Sequence, residues 1–99
     1  MRVVLAPEAR QELEAAVRYY NRQVPGLGAE LRSEVQAALR RIMTWPLACA
    51  VERMGIRRLT LSRFPYKLLS AVEADHIYLL AIAHQHRMPD YWIDRSGSP

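Results

Sequence analysis

Arg53, Arg57, Arg58, Arg63 and Lys67 fall in one window, residues 53–72, that contains no acidic residue. Guanidiniums pair bidentately with carboxylates and with phosphates. Such a one-sided cationic stretch therefore suits an anionic partner, either nucleic acid or an acidic polypeptide segment; its plainer reading is a solvated strand face. A second group lies downstream, where His84 and His86 stand two apart with Asp90 nearby. Histidine titrates near neutral pH, so the pattern could serve acid–base chemistry or begin a metal site. A metal would need a third convergent ligand and a supporting shell, and the sequence offers neither. Ordinary hydrogen-bonding histidines are expected there, with no metal. His76 falls in a turn and is expected at the surface. Gly26-x-Gly28 has no strand before it, so it reads as a turn and not as a phosphate loop. Trp45 and Trp92 read as core or interface anchors, and the lone Cys49 as a small hydrophobe.

These side chains need a scaffold, and the hydrophobic pattern supplies one. Val3, Val4 and Leu5 make a short strand halted by Ala6-Pro7, and proline suits the first turn of a helix. Ala9, Leu13, Ala16, Val17 and Tyr20 then recur at helical spacing, with Glu8, Gln11, Glu12, Arg18 and Arg22 assigned to the opposite side. Pro25-Gly26-Leu27-Gly28 breaks this helix within residues 21–28. Leu27, Leu31, Val35, Leu39 and Ile42 form a second stripe, which Pro46 ends after Trp45. The pair makes a helical hairpin.

The period then changes. Residues 57–63 alternate, so Leu59 and Leu61 share one face while Arg58, Thr60 and Ser62 take the other. Residues 66–73 and 77–83 are dense apolar runs separated by Ala74-Asp75-His76, which predicts a hairpin of central strands. Residues 91–95 read as a short edge strand and residues 96–99 as a loose, flexible tail. The expected fold is α+β with the order β-α-α-β-β-β, the helical hairpin packed on a small, mainly antiparallel sheet. It forms a single domain over residues 1–95.

Bulk properties narrow the function classes. With 99 residues, the chain buries only roughly 60–65% of its unfolded surface, so its stability margin should be thin. The formal charge is +4 and the pI about 9.7, while Glu8, Glu12, Glu14, Glu30 and Glu34 all lie in the first half. One cysteine allows no internal disulfide. The charged residues after residue 5 interrupt any leader-like apolar core. No apolar run approaches a membrane span. A soluble cytoplasmic protein without membrane contact is expected.

Several fragments, in order, resemble the RelE/ParE toxin family and its ParE-like branch in particular. They are Tyr19-Tyr20, Pro25-Gly26-Leu27-Gly28, Glu34-Val35, Ala38-Leu39-Arg40-Arg41-Ile42 and Trp45-Pro46. Further on come Ile56-Arg57-Arg58, Arg63-Phe64-Pro65-Tyr66, and Ala81-Ile82-Ala83-His84 with Arg87, Pro89, Tyr91 and Trp92. The resemblance spans roughly residues 2–95. It implies the toxin of a type II toxin–antitoxin system, neutralised by a cognate antitoxin whose acidic segment wraps around it, and needing no metal or organic cofactor. The ParE branch acts on DNA gyrase and blocks replication; the RelE branch cleaves messenger RNA on the ribosome.

The resemblance also assigns residues. In the ParE reading no catalytic residue is expected, and Arg57, Arg58, Arg63, Arg87, Tyr91 and Trp92 bind partners. In the RelE reading a basic residue of the third strand, an arginine after the fourth and a C-terminal tyrosine do the chemistry. Lys67 and Arg87 match the first two, and Tyr91 the third with altered spacing. A third reading keeps the fold and the antitoxin surface without toxicity.

Overall fold

The computed structural model describes residues 1–95; the tail expected at 96–99 lies outside the described residues. Strand β1 (Arg2–Leu5) runs into helices α1 (Pro7–Gln23) and α2 (Leu27–Thr44). A 3₁₀ turn (Pro46–Ala48) leads to β2 (Ala50–Arg53), β3 (Ile56–Thr60), β4 (Tyr66–Val72) and β5 (His76–His84). The strands make one sheet in the order β1-β5-β4-β3-β2. β1 is parallel to β5 and the other pairs are antiparallel. The two most continuously apolar strands thus sit beside each other inside the sheet, where both faces are covered.

The helices form where periodicity and proline place them. Pro7 occupies the first turn of α1, and the Ala6 N–H donates to Leu79 O at 2.9 Å as the last rung of β1. α1 buries Ala9, Leu13, Ala16 and Val17; α2 buries Leu31, Val35, Ala38 and Ile42. α1 continues to Gln23, past the expected break, and only Val24 to Gly26 separate the helices. The hairpin closes tightly because Gly28 has no side chain. A Cβ there would stand 2.5 Å from Val17 O and 2.7 Å from the Asn21 side chain, whose Oδ1 accepts the Gly28 N–H at 2.8 Å.

Two features depart from the sequence reading. β2 was not expected; its four residues are too few to show a period. Its signal lies in the turn that follows, since Met54 and Gly55 both take positive φ, 52° and 78°, as a two-residue hairpin loop requires. The segment expected as an edge strand, residues 91–95, joins no strand of the sheet among the described residues and ends in a 3₁₀ turn at Ile93–Arg95. Its reason is burial. A bulge in β5 leaves Leu80 unmatched between the Leu69–Ala81 and Ser70–Leu79 pairs. Ile77, Leu79 and Ile82 therefore enter the core beneath the helices, while Leu80, Ala81 and Ala83 face the other way with Ile56 and Leu69. Neither α1 nor α2 covers that second face. The chain after β5 crosses it, and Trp92, 2% exposed, plugs it.

Gly28→Ala tests the closeness of the helices. Overpacking of this kind costs about 1–3 kcal/mol, against a gain in helix propensity of about 1 kcal/mol. Urea unfolding should show net destabilisation; a more stable variant would mean that the hairpin opens freely.

Candidate functional site

The C-terminal crossing is held by one carboxylate. β1 ends at Leu5 opposite Leu79, so β5 runs on without a strand beside it on that flank. There α1 supplies Glu12 in place of a strand. Its Oε1 accepts the Ile82 backbone N–H and Arg95 Nη1, each at 3.0 Å. Its Oε2 accepts the Tyr91 hydroxyl at 2.6 Å. Arg95 and Glu12 side chains are each only 16% exposed, so these are charge-assisted bonds in a partly desolvated place, roughly twice as strong as neutral ones. Sequence reasoning put Glu12 on the solvent side of α1. The signal against that was present: Ala9, Glu12, Leu13 and Ala16 are spaced i, i+3, i+4, i+7, which puts Glu12 on the apolar stripe.

Tyr91 is consequently not a free acid or base. Burial, and then the hydrogen bond to Glu12, push its phenol above the ordinary tyrosine range. The Arg87 guanidinium lies over its ring at 4.0 Å from the centroid and that of Arg95 at 4.8 Å, cation–π contacts that leave Arg87 itself exposed. Around them Tyr66 and His84 meet edge to face at 5.1 Å, and Tyr20 meets Phe64 likewise at 5.1 Å. Burial, followed by the neighbouring Tyr20, raises the Tyr66 phenol to about 12. Glu12, Tyr19, Tyr66, His84, Arg87 and Tyr91 line a cleft of about 290 Å³. The sequence singled out neither Glu12 nor Tyr66 for this place, because nothing local brings a helix residue to a strand end.

A second hollow, about 240 Å³, opens beyond Arg87 and brings Lys67, Arg87 and Tyr91 together. Lys67 is already paired: its Nζ donates to Glu52 Oε2 at 2.5 Å. Arg58 Nη1 reaches the same carboxylate at 3.3 Å. The Lys67 ammonium holds the Glu52 carboxyl below its ordinary range, with Arg58 adding to it. Arg53 and Asp90 form a further ion pair, tying the β2–β3 hairpin to the C-terminal crossing.

The three arginines expected to act as one surface point in different directions. Arg57 turns to the helix side, where Nη1 donates to Leu47 O at 3.1 Å and Cys49 O at 2.8 Å. Arg58 lies on the opposite face, bonded to Val51 O at 3.0 Å and to Glu52. Arg63 leaves the β3–β4 loop and pairs with Glu30 at 2.5 Å. Trp92 needs correction as a partner contact: sealed in the second core, its side chain presents no surface. His84 Nδ1 accepts the His86 N–H at 3.0 Å, with the rings 5.2 Å apart. Among the described residues no group of three or more His, Cys, Asp or Glu is placed to hold a metal ion.

The family described as "ParE toxin of type II toxin-antitoxin system, parDE" matches residues 3–89. No curated protein sequence matches the chain. A solved structure described as "Chromosomal ParDE TA system from P. aeruginosa" superposes with a TM-score of 0.76 at 22% identity, covering 85% of this chain and 95% of the other. At that identity the likeness speaks for the fold.

The raised phenols predict an alkaline transition. The unfolded chain releases tyrosine protons above pH about 10, whereas the folded chain keeps those of Tyr66 and Tyr91. Stability is therefore full below pH about 10 and falls as pH rises towards 12. Tyr91→Phe should cost about 1.5–3 kcal/mol at pH 8, the range for hydrogen bonds to charged groups, and give a shallower alkaline slope. Urea midpoints between pH 8 and 12 measure both; equal slopes would detach Tyr91 from Glu12.

Proposed function

The chain belongs to the ParE toxin family of type II toxin–antitoxin systems, and we propose that it arrests growth by binding DNA gyrase and blocking replication, without chemistry of its own. A cognate antitoxin with an acidic segment neutralises it in this reading, and both encounters take place in the cytoplasm. No helix among the described residues is long and apolar enough to cross a membrane. The observation that carries the choice of a non-enzymatic poison is the engagement of Lys67 and Tyr91. Glu52 neutralises the one, and Glu12 holds the proton of the other. The nuclease chemistry needs a cation free to face the scissile phosphate and a group free to exchange a proton there, and here both side chains are engaged by carboxylates of the chain itself. Arg87 remains exposed, braced on the Tyr91 ring, and suits recognition through shape and charge, alongside the partly exposed Arg57, Arg58 and Arg63.

One observation favours the second reading, a ribosome-dependent messenger RNA endoribonuclease: Lys67, Arg87 and Tyr91 line one hollow. In that mechanism the cations stabilise charge at the scissile phosphate and Tyr91 handles a proton.

Induction without antitoxin, with DNA and protein synthesis labelled separately, distinguishes them. DNA synthesis should fall first. Lys67→Ala and Tyr91→Phe, confirmed folded by circular dichroism, should arrest growth as the wild type does, and Arg87→Ala should weaken arrest. Early loss of translation, with Lys67→Ala reducing message cleavage about a hundredfold or more, would replace the poison with the nuclease.

A further inference from the structure

Two guanidiniums share the ring of Tyr91. That of Arg87 lies 4.0 Å from the ring centroid and that of Arg95 4.8 Å. Their circumstances differ. Arg95 is largely buried and meets the Glu12 carboxylate at 3.0 Å, with Leu80 O a second acceptor at 3.4 Å. Arg87 is exposed and forms no ion pair among the described residues. The backbone fixes where its side chain begins, through the turn that the Arg87 N–H closes on His84 O at 3.1 Å. Where the guanidinium comes to rest is left to the ring, and an exposed cation–π contact is weak enough for a neighbouring charge to tip.

Two like charges over one ring repel, and in a partly desolvated place water and salt screen them poorly. Glu12 removes the conflict. Its charge offsets that of Arg95, and its bond draws the Arg95 fork towards α1. Three donors, from Ile82, Tyr91 and Arg95, occupy most of its lone pairs, so it offers little to Arg87. The carboxylates lining the two hollows beside Arg87 are Glu12, Glu52 and Asp90, and each already holds another cation. Arg87 is thus neither pushed off the ring nor pulled into the chain.

We propose that Glu12 is a positioning residue for the target contact: by cancelling the charge of Arg95 it leaves the Tyr91 ring to Arg87, whose guanidinium is then held in solvent as the cation that meets gyrase. This deepens, and rests on, the reading that the chain binds gyrase. The ring of Tyr91 and not its hydroxyl carries Arg87, so the charge of Glu12 counts here for more than its bond to the phenol.

The test measures binding of full-length toxin to purified gyrase holoenzyme, and the proton resonances of the Arg87 side chain in the free toxin. Protons held over an aromatic face resonate upfield, so the Arg87 Cδ protons should be displaced in the wild type and identified by their absence from Arg87→Ala. Glu12→Gln keeps the shape, and an oxygen for the Ile82 N–H, but loses the charge. It should move the Arg87 resonances towards those of a free arginine and raise the Kd for gyrase roughly tenfold. Two comparisons separate positioning from a general loss of structure. In the Arg87→Ala background Glu12→Gln should change the Kd by about twofold at most, because the two residues act as one unit. Glu12→Gln with Arg95→Gln leaves neither charge, and should bring the resonances back and the Kd to within about threefold of wild type, although one more native bond is gone. Glu14→Gln, which removes the same charge from a solvent-facing ion pair of α1, should alter neither.

Gyrase binding that Glu12→Gln leaves intact, with the Arg87 resonances unmoved, would overturn the proposal while the gyrase reading stands. Effects of Glu12→Gln and Arg87→Ala that simply add, with no recovery in the charge-free pair, would also overturn it and leave Glu12 a purely structural residue. Should Glu12→Gln fail to fold by circular dichroism, Arg95→Gln makes the same comparison, since it leaves the Glu12 charge uncompensated and draws Arg87 inward. A wild type that does not bind gyrase would overturn the reading on which the proposal rests, even where the Arg87 resonances respond as stated.

Discussion

The Glu12 carboxylate ties α1 to β5 and to the C-terminal crossing through hydrogen bonds from Ile82, Tyr91 and Arg95. It stands in for the strand that β5 lacks beyond Leu79, taking the Ile82 N–H. It also holds Tyr91 and Arg95, and with them the segment that crosses the second face of the sheet. A carboxylate so placed loses much of its hydration, and three donors replace what water gave it. With the crossing fixed, Trp92 fills the space over Leu69, Leu80 and Ala81, and Arg87 comes to rest on the Tyr91 ring. The cleft is a consequence of these bonds, since its walls come from α1, β4, β5 and the crossing together.

The two faces of the sheet are finished differently, and the charges follow. Beneath the helices the core is apolar and deep, with Leu31, Ile42, Leu68 and Leu79 fully buried. On the other face a short crossing does the work of a helix, aided by ion pairs at its margin: Arg53–Asp90, Lys67–Glu52 and Arg58–Glu52. Much of the cationic window is therefore spent inside the chain. A formal charge of +4 overstates what a partner meets there, and exposed arginines outside the window, such as Arg40, Arg41 and Arg87, carry more of it. Surface pairs of this sort contribute little to stability individually. Their larger effect here is to fix which cations remain available.

The sequence by itself determined the helices, the order of elements from β3 to β5, the central place of β4 and β5, and the family. Each of these rests on local periodicity or on short motifs in a fixed order, which neighbouring residues carry in full. Leu59 and Leu61 fell on the face that alternation assigned them, and Pro7 and Pro46 marked the limits of the helical hairpin. Tertiary structure alone decided where the polar groups went. A one-residue bulge at Leu80 reversed the facing of Ala81, which no alternation rule could foresee. That reversal left a second apolar face that drew residues 91–95 off the sheet edge and Trp92 into the core. Arg57, Arg58 and Arg63 are near one another in sequence yet spend their charge in three places, because β3 alternates and the loop after it turns back to α2. Lys67 and Tyr91 carry the right chemistry for a nuclease as residue types, and Glu52 and Glu12, distant in sequence, occupy both. Pairings of this kind depend on which side chains folding brings within 3 Å of each other, and residue type and spacing alone carry no record of that.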